Sequence, residues 1–386
     1  MLNDLRKKDI QLPPVAVEAF RHITTGMILL AFIAGIAVIY WNLLPPRKDF
    51  YNELWGPVFL LVRGQSPYDT SSLNPVLPAA WLPMSIGFFA PLGWLGEETA
   101  MLFWFLFSLV EMAWIVFLVS REDRSIPSLF IISLFAFGFP STIYHLLLGQ
   151  FSITTALCVV TAVYLIRKER HWLAAFLLAL GLSKIHLMTL TMLGLSLFYF
   201  QQAGLKSLFA FGGRVIAACL VLCLPLFIAY PHWIPDAIKS MTSNAPWAFP
   251  TLQKFFVFTF GSFGMVLWGI SVGLTILLSL FLCKRLDIVS ATFWNLGLAL
   301  LISPYIGSWD FVTLLPLWLS TFLSASRRWK IFTIISYVIA WGLMARIQGL
   351  EESHNHYFWW VPLWFLASVA IVMWRRPPWS RRSIKQ

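Results

Sequence analysis

Charge is the scarcest commodity in this sequence. Of 386 residues, 28 are Lys or Arg and 17 are Asp or Glu, 12% in all. A soluble globular domain carries about 25%, so a water-soluble fold is excluded. Disorder is excluded as well, because its signature is low hydrophobicity, whereas 59% of this chain is hydrophobic and its mean hydropathy is +0.76. Cysteine is equally sparse. Cys158, Cys219, Cys223 and Cys283 lie in or beside apolar segments. Cys219 and Cys223 share a helix face, but no His or second Cys pair completes a metal spacing, and no disulfide framework follows. The polar/apolar alternation of a membrane β-barrel is missing. Neither an internal repeat nor an inverted pair of broken helices is visible, which counts against a secondary transporter.

Long apolar runs are present instead, with 20 Trp and 34 Phe to face lipid and its interface. A spanning helix needs about 20 apolar residues and at least about 17. Clear candidates are 22–41, 99–119, 151–166, 215–230, 263–283, 288–305, 311–326, 330–348 and 358–374, with less regular runs at 79–96, 126–147 and 172–200. The expectation is an all-α, polytopic transmembrane bundle of about 10–12 spans, one integral membrane domain over 1–386, with at least one broken or half-inserted helix. The net charge of +11 resembles a nucleic-acid signal until its placement is read. Arg6, Lys7, Lys8 and Arg21 precede the first run. Arg167, Lys168 and Arg170, then Lys284 and Arg285, then Arg327, Arg328 and Lys330 punctuate later breaks, and Arg375, Arg376, Arg381, Arg382 and Lys385 form the tail. This is the positive-inside pattern. It predicts cytoplasmic termini and a cell-membrane location of the bacterial inner-membrane type, with the lipid bilayer and not nucleic acid as partner. One conflict stands: if 79–96 and 99–119 both cross, Arg121–Arg124 and then Arg167–Arg170 fall outside.

On this orientation the longest extracytoplasmic segments are 42–78 and 231–262, where function is expected. Phe50, Leu54, Val58 and Leu61 make one apolar stripe, and Asp49, Asn52, Glu53, Gly56 and Arg63 a polar one. The spacing predicts an interfacial helix over 49–63, bent at Pro57 and ended at Gly64. Asp49 lies just beyond the first span. Its carboxylate could act as a general base toward a hydroxyl beside a lipid-borne substrate, or simply cap the helix start.

The spacing Asp49-x-Tyr51 … Gly64-x-x-Pro67-Tyr68 resembles the first-loop signature of GT-C glycosyltransferases of family 87, of the polyprenyl-phosphate-mannose-dependent α-1,2-mannosyltransferase type. Gly149-Gln150-Phe151-Ser152, Ala174-Ala175 through Gly181-Leu182-Ser183-Lys184, and Ser303-Pro304-Tyr305 … Trp309-Asp310 followed by Leu314-Leu315-Pro316 resemble further family elements, in order. The chain departs from the family at Trp81-Leu82-Pro83, Lys184-Ile185-His186 and Trp309-Asp310-Phe311. The resemblance implies a GT-C-like fold and an inverting transfer of a hexose, mannose in that type. The donor would be a polyprenyl-phosphate sugar, the acceptor a lipid-linked or cell-envelope glycan, and Asp49 the base. A polytopic transporter or lipid flippase is the alternative class.

Other polar residues in apolar surroundings complete the candidate site. Lys184 lies inside the 172–200 run, about 18 Å from its nearer end if helical, where a Lys costs about 2.5–3.5 kcal/mol. Its partner would be a donor phosphate, or a carboxylate such as Glu111. If the run is two half-helices, Ser183, Lys184 and His186 mark an external turn. His145 and Gln150 flank a polar break and can donate to a sugar or phosphate, although a lone His beside apolar sequence is more often structural. Trp309 beside Asp310 is a common sugar-binding pair, and equally what a membrane interface looks like. Tyr51, Glu53, Arg63 and Tyr68 from the first loop join them as substrate contacts. His354 and His356 with Glu351 and Glu352 read more readily as a solvated loop than as metal ligands. No cofactor is certain: a divalent metal is compatible with the chemistry, but a lone loop Asp is not a ligand set and no metal site is indicated.

Overall fold

The computed structural model describes residues 14–41, 48–73, 81–122, 125–242, 249–348 and 355–374, and every regular element among them is helical. The chain opens with α1 (Pro14–Trp41). The predicted interfacial helix follows as α2 (Lys48–Phe50), a π turn (Tyr51–Trp55) and α3 (Gly56–Leu61). Pro57 explains the wide turn. It has no N–H to offer the Glu53 carbonyl, and its ring would crowd that oxygen, so the Gly56 N–H reaches back to Tyr51 instead. Gly64, at φ +70°, ends the helix in the left-handed conformation that glycine adopts without strain.

Residues 81–96 do not form a span. They fold into α4 (Pro83–Phe88) and a 3-10 turn (Ala90–Trp94) laid against α3. The Trp55 indole donates to the Leu95 carbonyl, and Gly93 packs on the Val58 backbone so closely that a Cβ would overlap it. This settles the charge conflict. With 81–96 kept at one end of the bundle, α5 (Glu97–Val119) leads away from that end. The pair α6 (Ile126–Gly138) and α7 (Pro140–Leu148) returns, and α8 (Ser152–Arg167) leads away again. Arg121 and Arg167–Arg170 then share the opposite end. The α6–α7 pair is bent by 52° at Phe139, where Pro140 pushes the preceding residue out of the helical region.

Residues 171–229 pass as one 59-residue apolar stretch by length and hydropathy, but they fold back twice. α9 (His171–Gly181) reverses through a 3-10 turn (Leu182–Lys184) into α10 (Ile185–Ala229). His171 Nδ1 lies 2.8 Å from the Tyr199 hydroxyl, whereas 28 residues of straight helix would separate them by about 42 Å. The second reversal is at Ala203 and Gly204, whose φ of +64° and ψ of −149° suit glycine. It brings Tyr199 and Phe211 into a stack at 4.4 Å. The two-half-helix alternative is therefore the observed one, and Lys184 sits at a turn rather than mid-span.

α11 (Trp233–Thr242) and α12 (Leu252–Phe260) follow in the second large loop. Then come α13 (Phe263–Arg285), α14 (Ile288–Ile302), a 3-10 turn (Ser308–Leu314), α15 (Leu315–Ser324), α16 (Arg327–Gln348) and α17 (Trp360–Trp374). α14 is buried all round from Ala291 to Leu301, and α13 turns Phe263, Val266, Ile270, Leu274 and Leu277 outward. The first forms the centre of the core and the second its lipid-facing wall. Five stretches among the described residues are long and apolar enough to cross a membrane, and the bent α6–α7 pair makes a sixth. The protein is a helical membrane bundle.

Candidate functional site

Four turns meet at one end of this bundle, and each brings one polar side chain. Asp49 comes from α2. Gln150 follows Gly149, which ends α7 at φ +72° and whose carbonyl is pinned by the Trp104 indole at 3.0 Å. Lys184 stands where α9 turns into α10, with its backbone outside the helical region. Asp310 lies in the turn after α14, held by the Gly307 N–H at 2.8 Å. Gly307 is needed there because the Trp309 ring folds over it and would overlap a Cβ.

The side chains form one hydrogen-bonded chain. The Lys184 ammonium donates to Gln150 Oε1 at 2.7 Å, Ser152 Oγ at 3.1 Å and Asp310 Oδ1 at 2.8 Å. The Gln150 amide donates to Asp49 Oδ2, and the Ser152 hydroxyl to Asp310 Oδ1. Lys184 and Asp310 are both buried, so their charges are paired away from water. Glu111, the other carboxylate considered for Lys184, instead accepts the Thr154 hydroxyl at 2.8 Å. Burial pushes the Asp49 carboxyl above its ordinary range, against the Gln150 hydrogen bond and the Lys184 charge. Burial pushes Asp310 up too, but the adjacent Lys184 ammonium, aided by His186, holds it well below. The Tyr305 hydroxyl is raised by burial and by the carboxylates of Glu53, Asp310 and Asp49 around it.

The remaining expected residues distribute unevenly. His186 Nε2 is 3.7 Å from Asp310 Oδ2, and its ring meets Tyr305 edge-on at 5.5 Å. His145 is buried just behind the chain, its Nε2 accepting the Ile153 N–H at 3.0 Å in the first turn of α8. Glu53 is near enough for its carboxylate to raise the Tyr305 hydroxyl, and Tyr51, half-buried, leans on Trp55 with ring centroids 5.3 Å apart. Trp309 is half-buried over Gly307. Two residues are not brought in. Exposed Arg63 bonds the Phe59 and Gly93 carbonyls and lies 3.4 Å over the Phe59 ring. Tyr68 is buried in an apolar cluster, its hydroxyl without a partner. Sequence reasoning missed Ser152, Tyr305, Gly307 and Phe249, whose ring lies 4.4 Å from Tyr305. Ser152 and Tyr305 belong to motifs already singled out, whereas Phe249 carries no signal in the sequence. Among the described residues no three His, Cys, Asp or Glu side chains gather as metal ligands. Glu351, Glu352 and His354 lie outside those residues.

A buried cluster of hydrogen-bonded polar side chains at one end of a helical membrane bundle defines an integral membrane protein with a candidate site at that end. Its family is narrower than that. The model of glycosyltransferase family 87 matches residues 81–304, more than half of the chain. The protein belongs to that family and is a membrane glycosyltransferase. The matched segment holds Gln150, Ser152, Lys184 and His186, and Asp49 and Asp310 flank it. Comparison with curated proteins and with solved structures gives no match.

Proposed function

We propose that this glycosyltransferase moves a hexose, mannose in the family type it resembles, from a polyprenyl-phosphate donor to a hydroxyl of a lipid-linked or cell-envelope glycan, with inversion. The observation that carries the reading is the Asp49 carboxylate. It sits half-buried at one end of the bundle, tethered by one oxygen to Gln150 and raised above the ordinary aspartate range. A carboxylate so placed is a stronger base than one in water. The acceptor oxygen attacks the anomeric carbon opposite the donor phosphate and forms the new glycosidic bond. The bond from that carbon to the phosphate oxygen breaks, the lipid phosphate leaves as an anion, and Asp49 takes the acceptor proton. His186, Tyr305 and Phe249 form an aromatic side beside the cluster, suited to the apolar face of a sugar, with the Glu53 carboxylate near Tyr305. Arg63 and Tyr68 stand apart from this cluster and take no part in the step.

The site faces the extracytoplasmic side on the positive-inside rule. Arg121, Arg167, Lys168, Arg170, Lys206, Lys284, Arg285, Arg327, Arg328 and Lys330 lie toward the opposite end, while Lys48, Arg63, Lys239, Lys254 and Arg346 lie toward the site's end. The transport alternative gives way to the family membership. The test is sugar transfer by purified wild type and Asp49→Asn from a synthetic polyprenyl-phosphate hexose, with the product anomer read by NMR. Loss of a general base lowers the rate by about 10²–10⁴-fold, and full activity in the variant refutes the mechanism.

A further inference from the structure

An ammonium has three hydrogens and no acceptor, and Lys184 commits all three: to Gln150, Ser152 and Asp310. None is left for a phosphate. Its contact with Gln150 Oε1 also decides which way that amide faces. The carbonyl must point at the lysine, so the NH₂ group points away from it, at Asp49 Oδ2. One Asp49 oxygen is thereby occupied, and Oδ1 is the oxygen offered to a substrate hydroxyl.

The interposed amide has an electrostatic consequence. A lysine bonded directly to Asp49 would depress its proton affinity and make it a poor base. Asp310 claims the ammonium instead, and is itself anchored by the Gly307 N–H and the Ser152 hydroxyl. Asp49 feels the cation at one remove, keeping a hydrogen bond to its charged form without a salt bridge. Resting on the reading of Asp49 as the base, we propose that Asp310, Lys184 and Gln150 are positioning residues that hold the Asp49 carboxylate in one orientation and keep it ionised, and that none of the three touches the donor phosphate. The charged and titratable groups of the cluster that holds Asp49 are Lys184, Asp310 and Tyr305, which act on it directly, and His186, His145 and Glu53, which act on those three.

The experiment is the pH profile of kcat/KM, with kcat and acceptor and donor KM measured separately, for full-length wild type, Gln150→Leu, Lys184→Gln and Lys184→Arg in detergent. Gln150→Leu is expected to lower kcat by about tenfold or more. Its acid limb moves up by about one pH unit because a hydrogen bond to the charged form is lost. Both KM values stay within about twofold, as for a group acting on the chemical step. Lys184→Gln moves the limb the same way, and Lys184→Arg, which keeps the charge, returns it toward wild type. Gln150→Asn keeps the amide but is one methylene too short to bridge, so it carries the same expectation and serves if the Leu variant does not fold. A raised donor KM with an unmoved limb in the Gln150 or Lys184→Gln variants overturns the proposal in favour of direct phosphate binding. Asp49→Asn separates the two readings. If it stays active, the base assignment falls. If it is inactive while Gln150→Leu and Gln150→Asn keep wild-type kcat and limb, the positioning chain alone falls.

Discussion

Replacing Asp310 by Leu strands the Lys184 ammonium, 5% exposed, with two neutral partners, Gln150 and Ser152. Removing one member of a buried ion pair costs about 3–5 kcal/mol, because the other charge stays behind unpaired. Unfolding entropy of about 2.1 cal/mol/K per residue, over 386 residues, converts this to a Tm drop of about 4–6 °C. Lys184→Met alone falls in the same range, since Asp310 keeps only the Gly307 N–H, the Ser152 hydroxyl and the His186 ring 3.7 Å from its Oδ2. The double variant Lys184→Met/Asp310→Leu removes both charges and refills the volume with apolar atoms, an exchange that is often near neutral. Losing the Gly307 and Ser152 contacts costs about 1–2 kcal/mol, so its Tm lies within about 3 °C of wild type. Thermal unfolding of detergent-purified protein, followed by tryptophan fluorescence, measures all three. A double variant that loses as much as the two single variants added together refutes the buried pair. Sugar transfer by the stable double variant falls with the positioning chain it lacks.

Gly87→Ala drives a Cβ into the Leu222 carbonyl and pushes α4 off α10. Overpacking of this kind costs about 1–3 kcal/mol, so thermal unfolding moves down by a few degrees, and an unchanged midpoint argues against the close approach. Asp49 must be ionised to accept a proton, so activity falls as pH drops through its pKa. Burial raises that pKa above the ordinary aspartate value of 3.8. The acid limb of kcat/KM therefore lies above that value, and a limb at or below it contradicts the burial. Gln65→Cys is labelled by an impermeant maleimide on intact cells and Lys168→Cys only after permeabilisation. The reverse pattern inverts the orientation.

The short first-loop helix shows how much could be read in advance. Its apolar stripe, its end at Gly64 and its disturbance at Pro57 are local matters of periodicity, left-handed backbone and a missing N–H. All three are in the structure, the disturbance as a π turn. The 79–96 run was less legible. Hydropathy registers apolar residues but not whether they face lipid or a neighbouring helix, and α4 with its 3-10 turn spends them against α3 and α10. For the same reason 171–229 passes for one long span until His171 meets Tyr199. Asp49 is legible as a carboxylate just beyond the first span, and Gln150, Lys184 and Asp310 as scarce polar residues in or beside apolar runs. Their pairing is not. Glu111 was as good a partner for Lys184 on paper, and only the packing of α5 against α8 gives it to Thr154.

By itself the sequence determined the solvent, the helical class and the shortlist of polar residues, because each follows from composition and short-range periodicity. It also determined the basic end of the bundle, since charge near a span acts locally. The tertiary structure alone decided that 81–96 stays at one end and that Lys184 pairs with Asp310. It also decided that Gln150 stands between the cation and Asp49. Those facts depend on contacts across 34 to 126 residues of chain, and the ammonium's three donors are distributed by whichever acceptors folding brings within reach.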